Sequence, residues 1–157
     1  MSQIHSILLA EDNPHDVELT LAALGMHHLA NQIIVAPDGA ETLDYLYCRG
    51  KYQGRSDGNP ALVLLDLKMP KVDGLEVLRT MKLDPALQPV PVVMLTSSRE
   101  EQDLVRSYRL GVNAYVVKPV DFQAFVDAVR QVGIFWAMHN QPPPGSGTTN
   151  PRAAQSP

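Results

Sequence analysis

Two patterns of apolar residues alternate along the chain. Five short continuous runs, Ser6–Ala10, Ile33–Ala36, Leu62–Leu65, Val92–Leu95 and Ala114–Val117, read as strands. Short runs rich in branched side chains and bounded by turn residues suit strands buried on both faces of a parallel sheet. Between them, apolar residues recur at helical spacing. Val17, Leu21 and Leu24 define a helix over Asp16–Leu24, opened by Asn13-Pro14 and stopped by Gly25; Asn suits a cap and Pro a first turn. After an Asp38-Gly39 turn, Ala40, Leu43, Leu46 and Tyr47 give a second helix its apolar face. Gly74–Lys82 places Leu75, Val77, Leu78 and Met81 inward and ends at Asp84-Pro85, because the residue before proline disfavours helix. Ser98 caps a helix through Leu110, with Glu100-Glu101 near its positive end and Gly111 beyond it. Asp121 caps a last helix that runs to about His139. Strands and helices alternating in this way predict an open α/β sandwich on a parallel sheet.

The last helix is longer than a small sheet needs, rising about 28 Å from Asp121 to His139. Phe122, Phe125, Val126 and Val129 already supply one inward stripe. Val132, Ile134, Phe135, Trp136 and Met138 then project past the domain edge. Contiguous apolar surface of this kind marks an interaction site, so a homodimer through Phe135 and Trp136 is expected. Gln141–Pro157 is rich in Pro, Gly, Ser and Thr and holds almost no apolar mass, which predicts a disordered tail behind a single domain of residues 1–140. Arg49–Asn59 is polar, holds three glycines and reads as a surface loop, longer than the ~2–6 residues of a typical connection. It is either a tolerated insertion or a partner-binding loop.

Composition narrows the function classes. The chain is 45% hydrophobic and 19% charged with a net charge of −4, which is globular and offers no basic patch for nucleic acid. Cys48 is the single cysteine, so no intrachain disulfide forms. No run approaches the ~18 apolar residues of a membrane helix, and no basic-then-apolar leader pattern is present. A soluble, cytoplasmic protein is expected. His27-His28 are read as a solvated pair rather than a metal site.

The chemistry lies at the strand ends. The first strand ends on Glu11-Asp12, the third on Asp66, the fourth on Thr96 and the fifth on Lys118. Parallel strands deliver all of these to one edge, where open α/β sheets bind their ligands. Three carboxylates held ~5 Å apart repel by roughly 3 kcal/mol per pair at an effective dielectric near 20. Protonating one of them or binding a cation relieves this. Carboxylates with a backbone carbonyl and waters suit Mg²⁺. Lys118 adds a point charge suited to phosphate, and Thr96 a hydroxyl. A carboxylate so placed attacks a phosphoryl group to form an aspartyl phosphate.

Glu11-Asp12, Asp66 with Met69-Pro70 and Asp73-Gly74, Thr96-Ser97 and Lys118-Pro119 together resemble the receiver domain of two-component response regulators, from about Ile4 to about Val132. The resemblance implies a flavodoxin-like sheet of five parallel strands in the order 2-1-3-4-5. It implies that Glu11, Asp12 and Asp66 bind Mg²⁺ together with the backbone carbonyl of Lys68. Asp66 is then the phosphorylated residue, Lys118 the family's lysine, and Thr96 and Tyr115 the switch pair. The Lys118–Pro119 bond is expected to be cis. The implied protein is a stand-alone receiver that accepts phosphate from a histidine kinase and signals by a surface change. The Arg49–Asn59 loop and Phe135-Trp136 resemble the small receivers that pair with bacterial phytochrome kinases.

Other classes fit less well. Phosphohydrolases of the haloacid-dehalogenase type put a second acid two residues after the nucleophile, where this chain has Lys68. A nucleotide site lacks its Gly-rich loop, because EDNPHD follows the first strand instead. An adaptor with a vestigial site is at odds with the presence of all five site residues. A phosphorelay intermediate, passing phosphate on to a histidine phosphotransfer protein, uses the same residues.

Overall fold

The computed structural model describes residues 6–25, 32–98, 101, 112 and 114–132. Among these, five strands alternate with four α-helices: β1 (Ile7–Ala10), α1 (Pro14–Gly25), β2 (Ile33–Ala36), α2 (Gly39–Leu46), β3 (Leu62–Asp66), α3 (Gly74–Leu83), β4 (Val92–Thr96), β5 (Ala114–Val117) and α4 (Phe122–Val132). The strands are all parallel, in the order β2-β1-β3-β4-β5. That is the order and direction expected of a flavodoxin-like sheet.

Alternation along the central strands divides the core in two. Leu8, Val63, Leu65 and Met94 face Tyr45 and Leu46 of α2 and Val77, Leu78 and Met81 of α3. Ile7, Leu9, Leu62, Leu64, Val93 and Leu95 face Leu24 of α1 and Phe125, Ala128 and Val129 of α4. All of Leu62–Leu65 are fully buried, each worth roughly 1.5–3 kcal/mol relative to exposure. This two-sided burial explains why β3 is continuously apolar rather than alternating.

The helix starts are fixed by side-chain caps. Asn13 Oδ1 accepts the N–H groups of His15 and Asp16 at 2.8 and 3.1 Å. Asp73 Oδ1 accepts from Glu76 at 3.0 Å, and Asp121 Oδ1 from Ala124 at 2.8 Å. Asp38, read from sequence as part of a turn, is the cap of α2, with Oδ1 accepting from Glu41 N at 2.8 Å. The periodicity assigns Tyr47 to the buried face of that helix, but Tyr45 is the buried ring and Tyr47 lies exposed beyond the last turn. Tyr45 is drawn inward because its hydroxyl meets Ser6 Oγ at 2.7 Å and its ring is covered by the Arg55 guanidinium, 3.9 Å from the centroid.

Arg55 also donates to the Tyr45 and Gly58 carbonyls and pairs with Asp57. Together with a 3-10 turn at Gly50–Tyr52, it folds the Arg49–Asn59 loop onto the end of α2. The Lys118–Pro119 peptide is cis. His27-His28, most of the helix expected from Ser98 to Leu110, Gly111, Phe135 and Trp136 of the expected dimer, and the expected tail from Gln141 lie outside the described residues.

Candidate functional site

Strand register builds the site. Ala10 is level with Leu65, Asp66 with Leu95, and Thr96 with Val117. The residues that follow each strand therefore emerge together at one edge of the sheet. Glu11 and Asp66 are buried there and Asp12 is exposed. One carboxylate oxygen from each of the three lies within 4.8 Å of the other two. They open on a cavity of about 160 Å³ that is also bordered by Asn13, Asp16, Lys68, Ser97, Glu101 and Lys118.

Lys118 is the cation at the centre. Its Nζ lies 3.1 Å from Asp66 Oδ1, 3.2 Å from Glu11 Oε1 and 3.1 Å from Asp16 Oδ2. Burial by itself would lower the pKa of this amine; the surrounding carboxylates Asp66, Asp16 and Glu11 outweigh it and hold Lys118 above its ordinary range. One ammonium does not neutralise so many acids. Burial, and then the charge of Glu11, push Asp66 up to about 7, against the opposing pull of Lys118. An oxygen-rich cluster with excess negative charge has the donor set of a hard divalent cation. Thr96 Oγ1, fully buried at the end of β4, has no hydrogen-bond partner among the described residues. Orphaned buried hydroxyls are uncommon and costly, and a ligand oxygen at this edge would satisfy it.

Five of the residues singled out from sequence, Glu11, Asp12, Asp66, Lys68 and Lys118, share the cavity. Lys68 points an exposed side chain toward Glu101, with Nζ 3.5 Å from Oε2. Thr96 lies buried beside Ser97 rather than in the cavity wall. Tyr115 is half-buried on β5, level with Met94 and packed on the α2–α3 side of the sheet, away from the cavity. Sequence reasoning passed over Asp16 and the site role of Glu101. Asp16 stands in the first turn of α1, where an acid is ordinarily read as complementing the positive end of the helix. Ser98 and Glu101 have the spacing of a helix capping box, which signals a directed Glu side chain.

The response regulator receiver domain model matches residues 7–130. Response regulator Rcp1 of Synechocystis sp. is 37% identical over 130 residues, covering 83% of this chain and 87% of Rcp1. The structure of the bacteriophytochrome response regulator AtBRR is 61% identical with a TM-score of 0.85, covering 89% of this chain and all of that one. A Mn²⁺-bound form of Rcp1 superposes with a TM-score of 0.65 at 37% identity, over 82% of this chain and 88% of that one. Sheet order, the clustered acids with their lysine, and a match running from β1 into α4 agree, and the chain belongs to the response regulator receiver domain family.

Proposed function

We propose that this chain is a single-domain response regulator whose Asp66 accepts a phosphoryl group from a histidine kinase and whose surface carries the signal onward. The observation that bears most weight is the position of Asp66: a buried carboxylate at a strand end, 3.1 Å from Lys118 Nζ and bordering a cavity it shares with Glu11 and Asp12. An Asp66 oxygen attacks the phosphorus, and the bond from phosphorus to the donor imidazole breaks with its electron pair leaving on nitrogen. Lys118 then follows the charge from the carboxylates to the phosphoryl oxygens. Thr96 donates its hydroxyl to one of them, and Tyr115, the second switch residue, responds to that movement.

Glu11, Asp12 and Asp66, with the Lys68 carbonyl, would hold Mg²⁺. When bound, the ion supplies positive charge that favours ionised Asp66 and offsets the charge of the transferred group. Catalysis in this reading extends no further than the chain's own phosphorylation and dephosphorylation. Lys68 supports that: two residues after Asp66 it provides an exposed cation, not the acid a phosphohydrolase needs there.

The partner follows from the relatives. AtBRR is a bacteriophytochrome response regulator, and we assign this chain a kinase of the same phytochrome class. Residues 1–140 form the receiver, 141–157 a tail, and Phe135 with Trp136 mediate a homodimer. No helix among the described residues is long and apolar enough to cross a membrane, in keeping with a cytoplasmic protein.

Labelling with radioactive acetyl phosphate tests the reading. Wild type is expected to take up label in Mg²⁺ and lose it on chelation, whereas Asp66→Asn takes up none. Equal labelling of Asp66→Asn would overturn the assignment.

A further inference from the structure

Glu101 stands five residues beyond Thr96, and its carboxylate reaches into the Asp66 cavity. Its ordinary role would be that of a capping-box glutamate, which returns to the N–H of the cap residue itself. Ser98 does behave as the cap, its Oγ accepting the N–H of Glu101 at 3.3 Å. The carboxylate, however, passes Ser98 and takes the N–H of Ser97 at 2.7 Å. Ser97 borders the cavity and directly follows the orphaned Thr96 hydroxyl. The other Glu101 oxygen faces Lys68 Nζ at 3.5 Å, and the glutamate side chain is 15% exposed. A resident anion thus holds two donors at the mouth of the site.

We propose that Glu101 is an internal competitor for the phosphoryl group: it occupies the Ser97 amide in the unphosphorylated chain and surrenders it when Asp66 is phosphorylated. This rests on the reading of Asp66 as phosphoacceptor. A phosphoryl group brings three acceptor oxygens and close to two negative charges into a cavity of about 160 Å³. Donors that border it include the Lys118 amine and the Ser97 amide, and the Thr96 hydroxyl lies buried next to Ser97. Glu101 blocks the Ser97 amide, and as an anion it is repelled by the new charge. Lys68, 79% exposed and tethered by nothing else described, is free to pair with either anion. Expulsion of Glu101 then couples the chemistry at Asp66 to the chain that follows β4.

Beryllofluoride, a phosphoryl mimic, provides the test. Its affinity in Mg²⁺ is measured by calorimetry on the full chain, on Glu101→Ala and on Glu101→Gln. Glu101→Ala is expected to bind at least about tenfold more tightly, the worth of one freed hydrogen bond to a charged partner. Glu101→Gln keeps an acceptor for Ser97 and should gain less. In NMR spectra of the unliganded proteins, the Ser97 amide of Glu101→Ala should already be displaced from its wild-type position. Wild-type affinity in Glu101→Ala, or equal gains in both variants, would overturn the competition while leaving Asp66 as acceptor. Failure of the wild type itself to bind beryllofluoride would overturn both.

Discussion

Gly74→Ala is expected to lower stability by about 3 kcal/mol or more and to abolish phosphoryl acceptance in whatever fraction folds. A Cβ at this position would lie 2.2 Å from the carbonyl oxygen of Asp66 and 2.9 Å from Cα and O of Leu67. These are backbone atoms, so no side chain can swing aside. The close approach has a function: the Gly74 N–H donates to the Leu67 carbonyl at 2.8 Å and clamps the start of α3 against the exit of β3. Pushing them apart moves the peptide that carries Asp66, the proposed phosphoacceptor. Gly25, at the end of α1, makes the contrast, since a Cβ there meets no atom of the described residues within 4 Å. Gly25→Ala should therefore stabilise by about 0.5–1 kcal/mol through backbone entropy. Urea unfolding of the two variants checks both signs; a Gly74→Ala protein as stable as wild type would show that the clamp is soft.

The second large effect is a pH dependence that metal should erase. In the folded chain, burial and then Glu11 push Asp66 up to about 7 from an ordinary value of 3.8. The folded state thus binds this proton more tightly than the unfolded state. That contribution is fully present below about pH 4 and is lost as pH rises toward about 7, a change of the order of 4 kcal/mol. Without divalent cation, wild type should lose stability over that window relative to Asp66→Asn, which carries no charge to desolvate. At pH 8 the Asn variant should be the more stable protein. Adding Mg²⁺ should close the gap, because the cation takes over the proton's role and competes with it less as pH rises. Denaturant unfolding at pH 5 and pH 8, with chelator or with Mg²⁺, reads this directly. A wild type whose stability tracks that of Asp66→Asn at both pH values would contradict the electrostatic account of the site.

What could be read from sequence, and what could not, divides along physical lines. The strands were legible because two-sided burial leaves a continuous apolar run, and Leu62–Leu65 are all fully buried. The strand-end residues were legible for the same reason: once the sheet is parallel, Glu11, Asp66 and Lys118 have nowhere to emerge but one edge. Side chains delivered by helices were harder. Whether Asp16 meets Lys118 depends on the rotation of α1 about its axis, which the packing of Leu24 against the sheet decides. Glu101 reads locally as a cap, and only the path of its carboxylate past Ser98 reveals the second role. Tyr45 and Tyr47 are two residues apart, and helical periodicity alone favours the latter. The choice is tertiary, made by Ser6 and Arg55 from distant parts of the chain.

The central claim is that Asp66 itself carries the phosphoryl group. Borohydride reduces an aspartyl phosphate to homoserine, so the modified residue can be located in the peptide sequence by mass spectrometry. After incubation with acetyl phosphate and Mg²⁺, homoserine is expected at position 66, and at no position when the metal is chelated. Homoserine at Asp12 or Asp16, or an unmodified Asp66 in protein that carries label, would contradict the account.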